Sequence, residues 1–212
     1  MDLVKYLVDI YGYDTPIFIK DIRIGRKSKS AIREEFYRAV KKGALSRDGS
    51  GVYSIPNKTD DLSSVVTFER IIKGKYLVSK DVPVLFNELF IEGYYSGLTF
   101  LNIIGLSDQV PAVLEITTNR IGGKKYIYSA LGRYAIIRKG KTKIDSSNYK
   151  MLQFLDMFHY LTMDEVKKYK NKIIKYINDE HLSKGMFLKY LGLYKGQTMK
   201  KIVEGGIIDA FM

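Results

Sequence analysis

The first forty residues carry a clear apolar rhythm. Leu3, Val4, Leu7, Val8 and Tyr11 recur at the i, i+3, i+4, i+7 spacing of an amphipathic helix, which Gly12 stops. Thr15-Pro16 offers an N-cap and a first helical residue, predicting a short second helix through Ile17, Phe18, Ile19 and Ile22. Arg23-Ile24-Gly25-Arg26 then reads as a basic turn. A third helix is expected from Ser28 to Lys42, held down by Ile32, Phe36, Ala39 and Val40. At about 100° per residue, Ser30, Glu34, Tyr37, Arg38 and Lys41 fall on the opposite face, with Arg33 at its side. Gly43 suits the position that closes the helix. Two short runs, 44–47 and 52–56, flank the hairpin signal Asp48-Gly49-Ser50-Gly51. Three helices followed by a two-stranded wing is the order of a winged helix-turn-helix.

Beyond Pro56, the stretch Asn57 to Asp61 reads as an interdomain hinge, which sets domains at 1–57 and 62–212. A helix is expected over 64–73, a strand or helix end over 74–78, and an apolar element over 84–90. A helix over 97–104 would start at Ser96 as N-cap, bury Leu98, Leu101 and Ile104, and close at Gly105. Strand-like runs at 113–118, 124–129 and 134–138 predict a β-meander. Thr162-Met163-Asp164-Glu165 is a capping box that opens one helix with the apolar stripe Val166, Ile173, Ile174 and Ile177. Lys167, Lys168, Lys170, Lys172 and Lys175 fall mostly on its solvated side, and shorter helices follow over 186–191 and 198–203. The expected class is α+β: an N-terminal winged helix-turn-helix, then a mixed α/β C-terminal domain with an antiparallel sheet and terminal helices.

Charge sharpens this picture. The 212-residue chain carries a net charge of +12 and no cysteine. Disulfides, thiolate metal sites and cysteine catalysis are thereby excluded. The charge is uneven: +4 over residues 1–60, −3 over 61–115, +7 over 116–149 and +4 over 150–212. Residues 20–42 hold 9 basic and 3 acidic side chains, densest where a recognition helix needs phosphate contacts. Lys27, Lys29, Arg33 and Lys41 are candidate phosphate or base contacts, and Arg38 and Glu34 share their face. Ser28, Ser30 and Tyr37 can hydrogen-bond phosphates or base edges, and Arg47 sits on the wing. The plainer alternative is a small helical domain with a solvated basic face.

The second concentration of charge is Arg120, Lys124, Lys125, Arg133, Arg138, Lys139, Lys141 and Lys143, with no acidic residue from Ile116 to Ile144. It reads either as a second polyanion surface, for flanking DNA or for RNA, or as a sheet edge guarded by lysines against edge-to-edge pairing.

The runs TPIFIKDIR, SAIREEFYRAVKKGALSRDGSGVYSIP and YYSGLTFLNIIGLSDQVP form two regions that resemble the AbiEi-type antitoxins of type IV, abortive-infection toxin–antitoxin pairs. The first is the run TPIFIKDIR (15–23) with SAIREEFYRAVKKGALSRDGSGVYSIP (30–56), which is similar to the family's N-terminal domain. The second, YYSGLTFLNIIGLSDQVP (94–111), resembles the signature opening its C-terminal domain: a Ser-Gly start, a short apolar helix and a Gly-Leu-Ser/Thr-x-Gln-x-Pro loop. Together they cover about residues 1–145. The resemblance implies an N-terminal domain that binds inverted repeats in its own promoter, and a C-terminal domain that carries antitoxicity. It also implies a nucleotidyltransferase-like toxin that is opposed without a stable complex.

Catalytic chemistry is not expected. His159 and His181 stand far apart with no ligand spacing, so no metal site is supported. Ser96 has no base in its sequence neighbourhood. Gly122-Gly123-Lys124 lacks the spacing of a P-loop, and Asp60-Asp61 lacks the residue between the acids of a nucleotidyltransferase Asp-x-Asp. No cofactor is expected. The N-terminus lacks the features of a signal peptide, and no apolar run approaches the ~20 residues that span a bilayer. The expectation is a cytoplasmic, double-stranded-DNA-binding antitoxin with no membrane partner. The alternatives are a stand-alone winged-helix transcriptional regulator, or an RNA- or protein-interaction module using the basic 116–144 surface.

Overall fold

The structure is a computed structural model that describes residues 2–57, 66–79, 89–194 and 196–211. The chain is α+β and divides into two compact units, residues 1–90 with 129–133, and residues 91–128 with 134–212. The first unit therefore runs past residue 57. The expected hinge lies, from residue 58 on, outside the described residues, as do the start of the helix expected over 64–73 and most of the apolar element over 84–90.

In the first unit, α1 (Leu3–Tyr11) is capped by Asp2, whose carboxylate accepts from Val4 N. Ile17–Phe18, expected to be helical, instead form strand β1, and only Ile19–Asp21 make one 3-10 turn. The reason lies far along the chain. Ile17 and Phe18 pair antiparallel with Tyr53 and Val52, which buries both β1 side chains. Thr15 donates its hydroxyl to Tyr13 O and caps nothing. Helix α2 (Lys29–Lys41) begins at Ser28, whose hydroxyl accepts from Ala31 N. It ends at Gly43, which adopts φ 67°. Strands β2 (Ser46–Gly49) and β3 (Val52–Ser54) complete a three-stranded antiparallel sheet in the order β1-β3-β2. Leu7, Ile17, Ile22, Ile32, Phe36 and Leu45 fill the core beneath it. Helix α3 (Phe68–Ile72), capped by Thr67, continues into a π-helical turn at Lys73–Leu77. Arg70 Nη1 donates to Asp14 O at 3.2 Å, which ties this segment to the rest of the first unit.

The second unit is built on a four-stranded sheet in the order β4-β5-β7-β6. Its strands are β4 (Gly93–Tyr95), β5 (Val113–Thr118), β6 (Lys125–Ala130) and β7 (Arg133–Lys139). The expected meander and purely antiparallel sheet are both corrected: β5 pairs antiparallel with β4 but parallel with β7. The six-residue link 119–124 is long enough to span two inter-strand spacings of about 4.8 Å. Burial chooses which strand goes between. Ala135 and Ile137 of β7 are fully buried, whereas Lys125, Tyr126 and Ile127 of β6 are exposed at the edge.

Helix α4 (Gly97–Ile103) covers the sheet and closes at Gly105. Leu101 is buried and Ile104 half-buried, but Leu98 is 42% exposed, against expectation. The remaining helices are α5 (Tyr149–Met157), α6 (Met163–Lys168), α7 (Lys170–Asp179), α8 (Lys184–Leu191) and α9 (Gly196–Glu204). The capping box at Thr162 and Glu165 is present. The single helix expected after it is two, broken at Tyr169 (φ −100°, ψ 13°), whose half-buried ring packs on the core. Phe154, Phe158, Val166, Ile173, Phe187 and Ile202 form the centre of that core. Among the described residues, no helix is long and apolar enough to cross a membrane.

Candidate functional site

The outer face of α2 is the first candidate. Ile32, Phe36 and Ala39 are buried, and Phe36 packs edge-on against Tyr53 of β3 at a centroid distance of 5.0 Å. That packing fixes the helix rotation, so Lys29, Arg33, Tyr37 and Lys41, four residues apart, form an exposed stripe. Among the described residues, Lys29, Arg33 and Lys41 have no carboxylate partner. Lys41 Nζ stands 4.7 Å over the Tyr37 ring, which is 54% exposed.

The other predicted residues of this face are already engaged. Lys27 pairs with Glu35 at 2.5 Å, and Arg38 with Glu34 at 3.0 Å. Ser28 caps α2 and shares a 2.9 Å hydrogen bond with Ser30. Arg47 is exposed on β2 without a carboxylate partner among the described residues. Arg23 donates to the carbonyls of Lys20 and Ile22, so its guanidinium serves the turn before α2.

The basic run 116–144 is not the unopposed surface that the sequence suggests. Arg133 belongs to the first unit, where it pairs with Glu69 and stands over the Phe68 ring. In the second unit, Arg120 pairs with Glu92 at 2.7 Å, Arg138 with Glu115 at 2.7 Å and Lys141 with Asp156 at 3.2 Å. Every one of these carboxylates comes from outside the run. Lys124, Lys125, Lys139 and Lys143 remain exposed, with no carboxylate partner among the described residues.

A polar network lies behind the sheet of the second unit. Thr117 on β5 donates to Ser96 Oγ at 3.0 Å and lies 3.5 Å from Asp156 Oδ2. Ser96 stands at the N-cap position of α4 without making the expected cap bond. Glu115 takes that role, because its Oε1 accepts from Leu98 N at 3.2 Å. Tyr94 donates to Asp156 at 3.0 Å, and burial with the Asp156 charge pushes its phenol far up. Tyr160 donates to Glu115; burial first, then the Glu115 charge, push its phenol up to about 12.

Beside this network is a cleft of about 590 Å³. Arg138, Lys139, Lys141 and Lys201 line it, with Asp156 the one carboxylate. The sequence places three of these cations in the run 116–144 but gives no sign of Lys201, Asp156 or the polar residues Thr117 and Thr198. They are scattered over β5, α5 and α9, and no local spacing links them. Among the described residues, no cluster of three or more His, Asp or Glu side chains is arranged to hold a metal. No family model and no curated protein matches the chain.

Proposed function

We propose that the first unit is a winged helix-turn-helix that lays α2 in the major groove of duplex DNA, with β2–β3 as its wing. The observation that carries this reading is the stripe Lys29, Arg33, Tyr37 and Lys41: exposed, its cations without a carboxylate partner among the described residues, and presented by a helix whose other face is locked in the core. The element order and the β1-β3-β2 sheet support it. The reduction of the middle helix to one 3-10 turn is a departure, and α2 is held instead by Phe36 against Tyr53. In this reading Lys29 and Ser30 reach base edges, while Arg33, Lys41 and Arg47 meet phosphates.

The resemblance extends the proposal. The chain acts in the cytoplasm as an antitoxin that represses its own toxin–antitoxin operon and counteracts a nucleotidyltransferase-like toxin without a stable complex with it. It is not an enzyme in this reading. Titration of the DNA upstream of its reading frame tests the DNA-binding step. Arg33→Ala with Lys41→Ala should weaken binding and lower the slope of log affinity against log salt by about one unit for each phosphate no longer neutralised. Unchanged affinity in the double variant rejects α2 as the DNA-facing helix. A nucleotidyltransferase-like reading frame beside its gene, co-expressed with the full chain, tests antitoxicity; the absence of such a frame, or continued growth arrest, rejects it.

A second reading has its own observation. Lys124 and Lys125 stay exposed in the second unit with no carboxylate partner among the described residues, as a nucleic-acid surface would be. It predicts that Lys124→Ala with Lys125→Ala reduces binding more than the α2 double variant does.

A further inference from the structure

We propose that the cleft of the second unit binds a small organic phosphate of nucleotide size, a site separate from the DNA-facing helix.

Charge is the first argument. Arg138, Lys139, Lys141 and Lys201 line the cleft, against Asp156 in its wall and Glu115 behind Arg138. Glu165 also acts on Lys201 from outside the lining, so one positive charge remains in excess. Lys139 has no carboxylate partner among the described residues. Lys201 is half-buried and donates to the carbonyls of Phe158 at 2.8 Å and Leu161 at 2.5 Å. Those bonds hold the ammonium in place without neutralising it, and one of its three N–H donors is left. Half-buried cations facing a concave wall attract an anion more strongly than solvated ones.

Hydrogen bonding is the second argument. Thr198 is 6% exposed and lines the cleft, yet its hydroxyl has no partner among the described residues. The Thr198 oxygen is not sealed from solvent, so it is open to the cleft and can donate to a phosphate oxygen that enters there. Thr198 and its neighbour Gln197, both in the first turn of α9, line the same wall.

Size and shape give the ligand class. A cleft of about 590 Å³ exceeds what inorganic phosphate fills and lies within the range of small-molecule sites. Its flank carries the edge-to-face rings of His159 and Tyr160, 5.2 Å apart, and the exposed Leu193. These are surfaces for a planar base beside a phosphate held by the cations. All of these residues belong to the second unit, so the site stands or falls independently of DNA binding by α2.

Calorimetric titration of the full chain at fixed ionic strength tests this. The probes are adenosine and guanosine 5′-monophosphates, adenosine, inorganic phosphate and a 5′-phosphorylated dinucleotide. A nucleoside monophosphate should bind saturably, at least about tenfold tighter than adenosine or inorganic phosphate. Lys139→Glu, at an exposed position, should weaken it by about tenfold or more, and the near-isosteric Thr198→Val by about threefold or more. Lys184→Glu, at an exposed lysine that does not line the cleft, should leave it unchanged. Tighter binding of the dinucleotide supports the site and assigns its phosphate to a strand end; weaker binding supports it and assigns a free nucleotide. No saturable binding, inorganic phosphate binding as tightly as the nucleotide, or an equal loss with Lys184→Glu would overturn the proposal.

Discussion

Arg138 donates from Nη2 to Glu115 Oε2 at 2.7 Å although the two residues do not face each other in the sheet. The register sets Arg138 beside Thr117 and Glu115 beside Ile136, so the pair is a diagonal across parallel β5 and β7. Glu115 also accepts from Leu98 N and from the Tyr160 hydroxyl, which joins sheet, α4 and the segment after α5 through one carboxylate. Glu115→Gln should therefore leave Arg138 without a counter-charge. Breaking a buried pair costs about 3–5 kcal/mol, and the one-third exposure of Arg138 reduces this to about 2 kcal/mol. Urea unfolding of the single and double Glu115→Gln, Arg138→Met variants should show the two losses to be non-additive. Strict additivity would mean that the pair contributes nothing.

Gly97 makes the same carboxylate selective for backbone. It adopts φ 58°, and a Cβ built there runs into the Glu115 carboxylate. Gly97→Ala should cost about 1–2 kcal/mol for the left-handed backbone, plus the steric cost of displacing Glu115. In a Glu115→Ala background the steric part should vanish. Equal destabilisation in both backgrounds, measured by denaturant midpoint, would remove Glu115 as the cause.

The capping box gives a pH dependence of known sign. Backbone and hydroxyl hydrogen bonds from Thr162 hold the Glu165 carboxyl below its ordinary value of 4.5. A carboxyl with a depressed folded value contributes stability above its unfolded value and loses it as pH falls through the folded one. Thr162→Ala should cost about 1 kcal/mol near neutral pH. The deficit of Glu165→Gln relative to the parent should shrink as pH falls below about 4.5 and close once Glu165 is protonated. Melting curves across that range check it, and a deficit that grows toward acid would contradict the assignment.

The unequal legibility of these features in the sequence has a physical basis. Helix α2 is readable because its determinants are local: Ser28 starts it, Gly43 ends it, and Ile32 and Phe36 lie one turn apart. Thr162 and Glu165 are local in the same way. Ile17–Phe18 misleads because Thr15-Pro16 is a local helix signal, while the strand partners Val52 and Tyr53 lie some 35 residues on. The position of β7 is hidden for a similar reason, since strand order depends on which strand is more apolar across the whole sheet. The apparent surplus of charge at 116–144 misleads most instructively. Glu92, Glu115 and Asp156 supply its counter-charges from the approach to β4, from β5 and from α5, and a count along the chain cannot see them. The cleft is invisible for that reason too.

Ion pairing on α2 separates cations that look equivalent in the sequence, and this sets a graded prediction for DNA binding. Arg33 has no carboxylate partner among the described residues, whereas Arg38 is tied to Glu34 one turn away. The Arg38–Glu34 pair is more than half exposed, so it is weak in stability, worth well under about 1 kcal/mol. Its effect on a polyanion is larger, because Glu34 cancels the Arg38 charge on the approach to phosphate. Arg33→Ala should therefore reduce affinity for duplex DNA more than Arg38→Ala does, and lower the salt slope by about one unit. Glu34→Gln should act in the opposite direction, tightening binding by removing a negative charge from the face. Lys27→Ala should resemble Arg38→Ala, since Glu35 holds Lys27 at 2.5 Å. Anisotropy titrations of all four variants over a range of salt give both the affinities and the slopes. If Glu34→Gln weakens binding while Arg33→Ala leaves it intact, the DNA-facing stripe is not Lys29, Arg33, Tyr37 and Lys41, and the face of α2 centred on Glu34 makes a specific base contact instead.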